Sequence, residues 1–501
     1  MTVDPILIAL DQGTTSSRSM AFDINGVPVA SAQLEFKQYY PKPGWVEHDA
    51  HDLWQTQRDT LATLLAHPAL QCRTVAALGI ANQRETVVLW NRHTGEPLHR
   101  AIVWQDRRTA DRCRALAEAG DEALFRQRTG LRLDPYFAGT KLAWLLDELP
   151  GARDRAIAGD LCFGTVDTWL IWNLTAGAVH ATDPSNASRT LCYNLQTGDW
   201  DDDLLRLLDI PRACLPEVRP TSGDFGVTAS AGLPGGLPLR GAAGDQQAAL
   251  FGQTCLDVGD AKNTYGTGCF LLLQTGEAPV RSSNNLLTTV AWDLGDGLRY
   301  ALEGSVFIAG AAVQWLRDEL ELVASAEECS ALAATVPDTN GLILVPAFVG
   351  LGAPYWDPRA RGLAIGITRG TTKPHWCRAA LESIAFQSTE LFQAQLADLP
   401  APSDAPLRVD GGATASEPLM QFQADLLQRP VVRPAVTETT ARGAAFLAGL
   451  ASGVWDTPDA LRSLDAGKDT VFEPQRPAAE MQAALARWKQ AVARSLNWAE
   501  A

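Results

Sequence analysis

Apolar runs separated by short polar turns open the chain, and this pattern predicts a small sheet. Ile6 to Leu10 is a continuous apolar run typical of a short buried strand. Ser19 to Asp23 and Val27 to Ser31 predict two more strands, and the Asn25-Gly26 pair between them is a strong signal for a two-residue hairpin turn. The chain therefore begins with a predicted three-stranded meander.

Helical spacing then gives way to further strand-like runs. Asp49 can cap a helix whose apolar positions fall along one side. Val75 to Ile80 and Thr86 to Trp90 predict buried strands, and the first of these ends in the polar stretch 82–85. Open α/β sheets usually bind ligands at the carboxyl ends of their strands, so this stretch is a candidate site.

A comparable pattern returns in the second half of the chain. Strands are predicted around a Gly266-Thr267-Gly268 turn, over Lys262 to Tyr265, Phe270 to Gln274, Leu286 to Trp292 and Arg299 to Glu303. A later short strand, Leu407 to Val409, leads into a predicted helix from Ser416 to Gln428. A meander opening on a Gly/Thr turn thus occurs twice, which predicts duplicated halves facing one cleft.

Four strand ends combine glycine with polar side chains. They are LDQGTTSSR (10–18), AAGDQQAALFG (242–252), NTYGTGCF (263–270) and RVDGGATAS (408–416). In the first, backbone amides and hydroxyls can donate to phosphate oxygens and Asp11 can hold a divalent cation, although a polar hairpin turn has the same composition. The chain has no GxxxxGK[ST] sequence and no complete dinucleotide fingerprint, so a nucleotide site made of opposed glycine-rich turns remains.

Phosphoryl transfer to an alcohol requires a base, metal on the phosphates and donors for the developing charge. Asp245 is the best candidate base because it follows a buried run and starts a predicted helix, but it could equally be a helix N-cap. Arg84-Glu85 could instead be an exposed ion pair, and Trp104 and Tyr136 could be core aromatic residues.

Composition narrows the class of protein. The chain has 501 residues, enough for two or three domains, and a formal net charge of −16, which argues against general nucleic-acid binding. Its nine cysteines are scattered and include no CxxC pair, which favours a reducing cytoplasm over a disulfide framework. The start of the sequence reads as neither a signal peptide nor a membrane span, so we expect no membrane insertion.

Ten segments together carry a resemblance that none carries alone. They are LDQGTTSSR (10–18), YPKPGWVEHD (40–49), NQRET (82–86), DPYFAGTK (134–141), FGTVDTWLIW (163–172), TDPSNASRT (182–190), AGDQQAALFGQ (243–253), AKNTYGTGCF (261–270), PAFVGLGAPYWDP (346–358) and RVDGGA (408–413). Over essentially its whole length the chain resembles the FGGY family of carbohydrate kinases, and within it the branch that acts on glycerol. The resemblance implies an α/β fold with two ribonuclease-H-like domains, similar to actin and the heat-shock ATPases, around an ATP cleft. We place these domains at residues 1–252 and 253–501.

The resemblance also implies a reaction and its residues. ATP would phosphorylate glycerol to sn-glycerol 3-phosphate, with Asp245 as general base and Asp11 and Asp245 facing Mg²⁺. Glycerol would contact Arg84, Glu85, Trp104, Tyr136, Asp245, Gln246 and Phe270. Thr14, Thr15, Ser16 and Arg18 would handle the transferring phosphate, and Thr267, Gly310, Gln314, Gly412 and Ser416 would hold the nucleotide. The alternatives are a kinase of the same family for another polyol or ketose, and a non-kinase actin-like ATPase.

Two positions depart from the family pattern. Many relatives have Asn where Ser416 stands, so one nucleotide hydrogen bond differs. Regulated bacterial relatives place an arginine after the double glycine that here precedes Leu237, so we expect weak or no inhibition by fructose 1,6-bisphosphate. The resemblance further implies a homodimer or homotetramer.

Overall fold

The computed structural model describes residues 5–500, and their first half builds a five-stranded mixed sheet, several sheets of two or three short strands, and a set of surrounding helices. Its strands are β1 (Ile6–Gln12), β2 (Ser16–Phe22), β3 (Pro28–Glu35), β4 (Gln38–Tyr39), β5 (Glu47–His48), β6 (Val75–Asn82), β7 (Val88–Asn91), β8 (Ala101–Ile102), β9 (Leu161–Gly164), β10 (Ala181–Thr182), β11 (Tyr193–Asn194), β12 (Asp199–Trp200), β13 (Glu217–Val218) and β14 (Leu239–Gly244). Its helices are α1 (Ala50–Leu65), α2 (Ala110–Glu118), α3 (Glu122–Thr129), α4 (Ala138–Glu148), α5 (Ala152–Ile157), α6 (Val166–Leu174), α7 (Pro184–Ala187), α8 (Asp202–Leu208) and α9 (Asp245–Gly252).

The second half builds a seven-stranded sheet and a separate two-stranded sheet. Its strands are β15 (Ala261–Tyr265), β16 (Cys269–Gly276), β17 (Leu287–Asp293), β18 (Leu298–Val306), β19 (Ile343–Val345), β20 (Leu363–Ile365), β21 (Leu407–Asp410), β22 (Val431–Arg433) and β23 (Thr470–Phe472). Its helices are α10 (Gly310–Asp318), α11 (Ala326–Ala334), α12 (Lys373–Asp398), α13 (Glu417–Leu427), α14 (Thr439–Ala451) and α15 (Ala478–Ser495). Within residues 5–500, none of these helices combines the length and apolar character that a membrane span requires.

The predicted opening meander is confirmed, with a longer turn than expected. β1, β2 and β3 are antiparallel neighbours, as the alternating apolar runs predicted. The turn between β2 and β3 covers residues 23–27 rather than two residues, so that part of the prediction is wrong. The Asp23 carboxylate accepts hydrogen bonds from the amides of Asn25 and Val27, both at 2.9 Å, and Gly26 adopts a φ of +71°.

The two sheets repeat one topology, which confirms the predicted duplication. In the first sheet the order is β14-β6-β1-β2-β3. Strands β14, β6 and β1 are parallel to one another, β2 is antiparallel to β1, and β3 is antiparallel to β2. In the second sheet, β22-β21-β15-β16-β18 have the same order and the same directions. Each half thus has three neighbouring parallel strands whose carboxyl ends lie at one edge of the sheet. Open α/β sheets usually bind ligands at that edge.

Helices α9 and α14 join the halves through very close backbone contacts. A Cβ atom on Gly443 of α14 would lie 1.8 Å from the carbonyl oxygen of Ala248 in α9. One on Gly79 of β6 would lie 2.0 Å from the carbonyl oxygen of Ala444. Only glycine fits at such distances, so α14, from the second half, packs directly on α9 and the first sheet. The boundary at residues 252 and 253 stays a prediction.

Candidate active site

Three parallel strands of the first sheet end side by side. Gln12 of β1 and Gly244 of β14 both pair with Asn82 of β6, so the three carboxyl ends lie at one level. Asp11 stands one residue before this row and Asp245 one residue after it. Their strands are two positions apart, roughly 10 Å at the usual strand spacing, so the edge presents both predicted carboxylates.

Asp245 begins helix α9, and the cap of that helix is Gly244 rather than Asp245 itself. The Gly244 amide donates to the hydroxyl of Ser185 at 2.9 Å, which anchors the end of the strand. The Asp245 side chain retains 31% of its exposure, and its Oδ1 lies 3.4 Å from Nε of Arg84. Burial raises the pKa of Asp245 to about 6 despite the opposing effect of Arg84, which brings it closer to the range of a general base.

Arg84 and Glu85 are buried, so the interpretation as an exposed ion pair is wrong. Their exposed fractions are 3% and 1%. Nη2 of Arg84 lies 3.4 Å from the hydroxyl of Tyr136, and Glu85 adopts a φ of +59° at the turn after β6. The structure therefore brings Arg84, Glu85, Tyr136 and Asp245 together, although they come from separate segments.

Sequence reasoning missed two charged residues that complete this group. Glu303 of β18 contacts Arg84 at 2.5 and 3.1 Å and also accepts from Nη2 of Arg189 at 2.8 Å. Nε of Arg189 donates to Glu85 at 2.7 Å. The available signals were a glutamate within a strand-like segment and an arginine within the TDPSNASRT segment.

Aromatic side chains flank the polar group. Trp104 lies edge-on to Tyr136 and to Phe270, with ring centroids 5.7 and 6.4 Å apart, and all three rings keep partial exposure. Such exposure is unlike that of core aromatic residues and leaves apolar surface for a carbon chain. Gln246 is buried, and its side-chain oxygen accepts from the ammonium of Lys262, a residue not singled out from the sequence.

The glycine turn after β1 faces the same region. The Gly13 amide donates to the carbonyl of Ser16 at 2.9 Å, which closes the turn. The Thr14 hydroxyl accepts from Nε1 of Trp104 at 3.0 Å, and Thr15 is exposed at the tip. The predicted phosphate turn and the predicted aromatic residues come from distant segments of the chain, and the structure brings them into direct contact.

Arg18 connects this turn to the second half of the chain. Its guanidinium lies 2.8 Å from Asp11, the residue opposite it on β1, and 2.6 Å from Glu438 just before α14. Sequence reasoning did not identify Glu438. The predicted phosphate ligand is thus held between one carboxylate from each half.

The predicted nucleotide residues gather at the matching edge of the second sheet. The amide of Gly310, at the start of α10, donates to the carbonyl of Gly266 at 3.0 Å, and a Cβ on Gly310 would lie 2.6 Å from that oxygen. Gln314 is exposed one turn further along α10, and Thr267 is exposed at the tip of the glycine turn.

The adjacent strand, β21, supplies the other two nucleotide candidates. Gly412 follows this strand and has open space around its Cβ position. Ser416 caps α13 by accepting from the Leu419 amide at 3.4 Å, and its hydroxyl lies 2.8 Å from that of Ser330. β15 and β21 are parallel neighbours, so these groups lie at one edge with Thr267.

The two carboxylates of Asp11 and Asp245 suit Mg²⁺ better than they suit a metal ion that is bound by protein side chains alone. Within residues 5–500, no group of three or more His, Cys, Asp or Glu side chains could hold a metal ion. Asp11 and Asp245 each keep part of their carboxylate exposed at the cleft edge, at 14% and 31%. Mg²⁺ is usually bound by one or two carboxylates with water and substrate phosphates, so the residues present fit it.

Family models cover most of the chain. The N-terminal domain of the FGGY family of carbohydrate kinases matches residues 6–252, and its C-terminal domain matches residues 261–452. The chain belongs to the FGGY family of carbohydrate kinases, and the expected fold class is confirmed by solved structures with the same architecture.

Relatives refine this assignment to one branch of the family. The chain is 58% identical to a glycerol kinase of Alkalilimnicola ehrlichii over 98% of this chain and 99% of that protein. It resembles the crystal structure of Plasmodium falciparum glycerol kinase with ADP, with a TM-score of 0.93 and 36% identity over 98% of each chain. A xylulose kinase from Rhodospirillum rubrum has a TM-score of 0.85 and 26% identity, again over 98% of each chain.

Proposed function

We propose that this chain transfers the terminal phosphate of ATP to glycerol and produces sn-glycerol 3-phosphate. The observation that carries the proposal is the convergence of Arg84, Glu85, Tyr136 and Asp245 beside a glycine turn rich in hydroxyl groups. High identity to glycerol kinases over the whole chain supports it, as does the matched glycerol kinase structure with ADP.

Asp245 is the proposed general base. Its carboxylate accepts the proton of a terminal glycerol hydroxyl as the oxygen forms a bond to the γ-phosphorus of ATP. The bond from that phosphorus to the bridging oxygen breaks, and ADP leaves with the electron pair. A raised pKa strengthens Asp245 as a base while leaving it ionised at neutral pH.

The acceptor side recognises a short polyol. Arg84, Glu85 and Gln246 offer hydrogen-bonding groups for hydroxyls, and Tyr136 adds a phenol. Trp104 and Phe270 provide apolar surface for the carbon face. Such a site favours a three-carbon alcohol because each hydroxyl meets a fixed polar partner, and an unpaired buried group would be costly.

The phosphate side is built from both halves. We propose that Thr14, Thr15, Ser16 and Arg18 contact the transferring phosphate, and that Thr267, Gly310, Gln314, Gly412 and Ser416 hold the nucleotide. Asp11 and Asp245 would hold Mg²⁺ with the phosphates, where its charge offsets theirs. Arg18 must release part of its pairing with Glu438 or Asp11 to meet phosphate oxygens.

A substrate panel with ATP tests the proposal. Product formation should have its highest kcat/KM with glycerol, well above erythritol or a pentulose. A preference for the pentulose would favour a sugar kinase of the same family. ATP hydrolysis that no small alcohol affects would instead favour a non-kinase ATPase. Two further proposals are independent of this test: a homodimer or homotetramer, and a cytoplasmic location. Light scattering would measure the oligomeric state.

A further inference from the structure

Four charged side chains form a fully buried network behind the proposed acceptor site. Arg84, Glu85, Arg189 and Glu303 have side-chain exposures of 2%, 1%, 0% and 0%, and their formal charges cancel. Three come from the first half of the chain, whereas Glu303 comes from β18 of the second sheet. Buried charges persist only when they are paired and hydrogen-bonded, so each member depends on the others.

Glu303 holds the end of the Arg84 guanidinium with both carboxylate oxygens. Its Oε2 accepts from Nη1 at 2.5 Å and its Oε1 from Nη2 at 3.1 Å. A paired contact of this kind fixes the plane of the guanidinium as well as its position. The remaining edge, at Nε, faces Asp245 at 3.4 Å, so Glu303 sets the direction in which Arg84 meets the acceptor region.

The same carboxylate acts on Glu85 through Arg189. Oε1 of Glu303 accepts from Nη2 of Arg189 at 2.8 Å, and Nε of Arg189 donates to Glu85 at 2.7 Å. Both acceptor residues of the Arg84-Glu85 pair are thus oriented by one glutamate. Glu303 also stays ionised, because Arg189 and Arg84 hold its pKa at about 2 although burial alone would raise it.

Stability alone does not explain this arrangement. Replacing a buried ion network with apolar side chains is often neutral or stabilising. A fully buried network of four charges is therefore better explained by the geometry that it imposes on its neighbours.

We propose that Glu303 is a positioning residue for the acceptor alcohol. It orients Arg84 directly and Glu85 through Arg189, so that both side chains meet the hydroxyls of a short polyol in one fixed geometry. Glu303 itself does not touch the substrate. The inference rests on the proposed function and gives the second sheet, which already supplies Phe270, a further role in the acceptor site.

The test compares Glu303→Gln with a matched variant, Glu390→Gln. Glu390 is another buried glutamate of the second half, and it accepts from Tyr355 and Trp488 rather than from any member of this network. Glu303→Gln should raise the KM for glycerol at least tenfold and leave the KM for ATP within about twofold, since only acceptor groups lose their orientation. Glu390→Gln should change neither constant by more than about twofold.

Glu303→Asp keeps the charge and shortens its reach. It should raise the KM for glycerol less than Glu303→Gln does. If Glu303→Gln does not fold, the KM values of Glu303→Asp for glycerol and for ATP provide the test. A glycerol KM equal to that of the parent in the folded variants, or equal increases in both KM values, would overturn the inference. Parent protein that does not phosphorylate glycerol would instead overturn the proposed function, and the inference with it.

Discussion

Asp245, the proposed general base, has a partly exposed side chain and a raised pKa, and a catalytic carboxylate needs both properties. Asp245→Asn removes the proposed proton acceptor and preserves the shape of the side chain, so turnover with glycerol should fall roughly a hundredfold or more. Steady-state kinetics would measure this loss, with Asp203→Asn, on the exposed surface of α8, as the control. Turnover at the parent rate in the Asp245 variant would show that another group accepts the proton.

The same variant has an expected effect on stability. Burial raises the pKa of Asp245 above its ordinary value, so the folded protein binds that proton more tightly than the unfolded chain. The ionised carboxylate therefore costs stability above pH 6, and this cost disappears below the ordinary pKa. At pH 8 the thermal midpoint of Asp245→Asn should equal or exceed that of the parent, and a clearly lower midpoint would contradict this.

The activity should depend on pH through the same group. The proposed base, Asp245, can accept a proton only when it is ionised, so kcat/KM for glycerol should rise about tenfold per pH unit at low pH. It should level off above a midpoint near pH 6. Measurements over this range in the parent and in Asp245→Asn, whose residual activity should lack this inflection, would separate the base from other titrating groups. A midpoint near the ordinary aspartate pKa, about 3.9, would exclude the assignment.

At the level of elements, local signals predicted structure well and long-range contacts escaped prediction. Asp49 caps α1 as predicted, because the side chain and the helix it caps are adjacent in sequence. The Arg84–Glu303 contact joins residues 219 positions apart, and nothing in either segment indicates the other. The polar strand ends were identifiable as a group because parallel strands bring their carboxyl ends to one edge.

The crossing of α9 and α14 depends on glycine. Gly443→Ala would place a Cβ 1.8 Å from a backbone carbonyl that cannot rotate away, so the helices must separate. Overpacking of this kind costs roughly 1–3 kcal/mol or more, which should lower the thermal midpoint. Gly235→Ala is the control, because its nearest contact would be 3.7 Å away. Equal midpoints for both variants would mean that the crossing is looser than the backbone distances imply.

At the scale of the whole molecule, the proposed phosphate groups and most of the proposed acceptor groups lie on the first half, whereas Phe270 and the proposed nucleotide groups lie on the second. ATP and glycerol together would therefore bridge the halves, and closure would exclude water that could otherwise hydrolyse ATP. Small-angle scattering should show a smaller radius of gyration with glycerol plus a non-hydrolysable ATP analogue than with either alone. Identical scattering in all three states would show that the halves already hold their catalytic arrangement, and that suppression of ATP hydrolysis depends on the local geometry around Asp245.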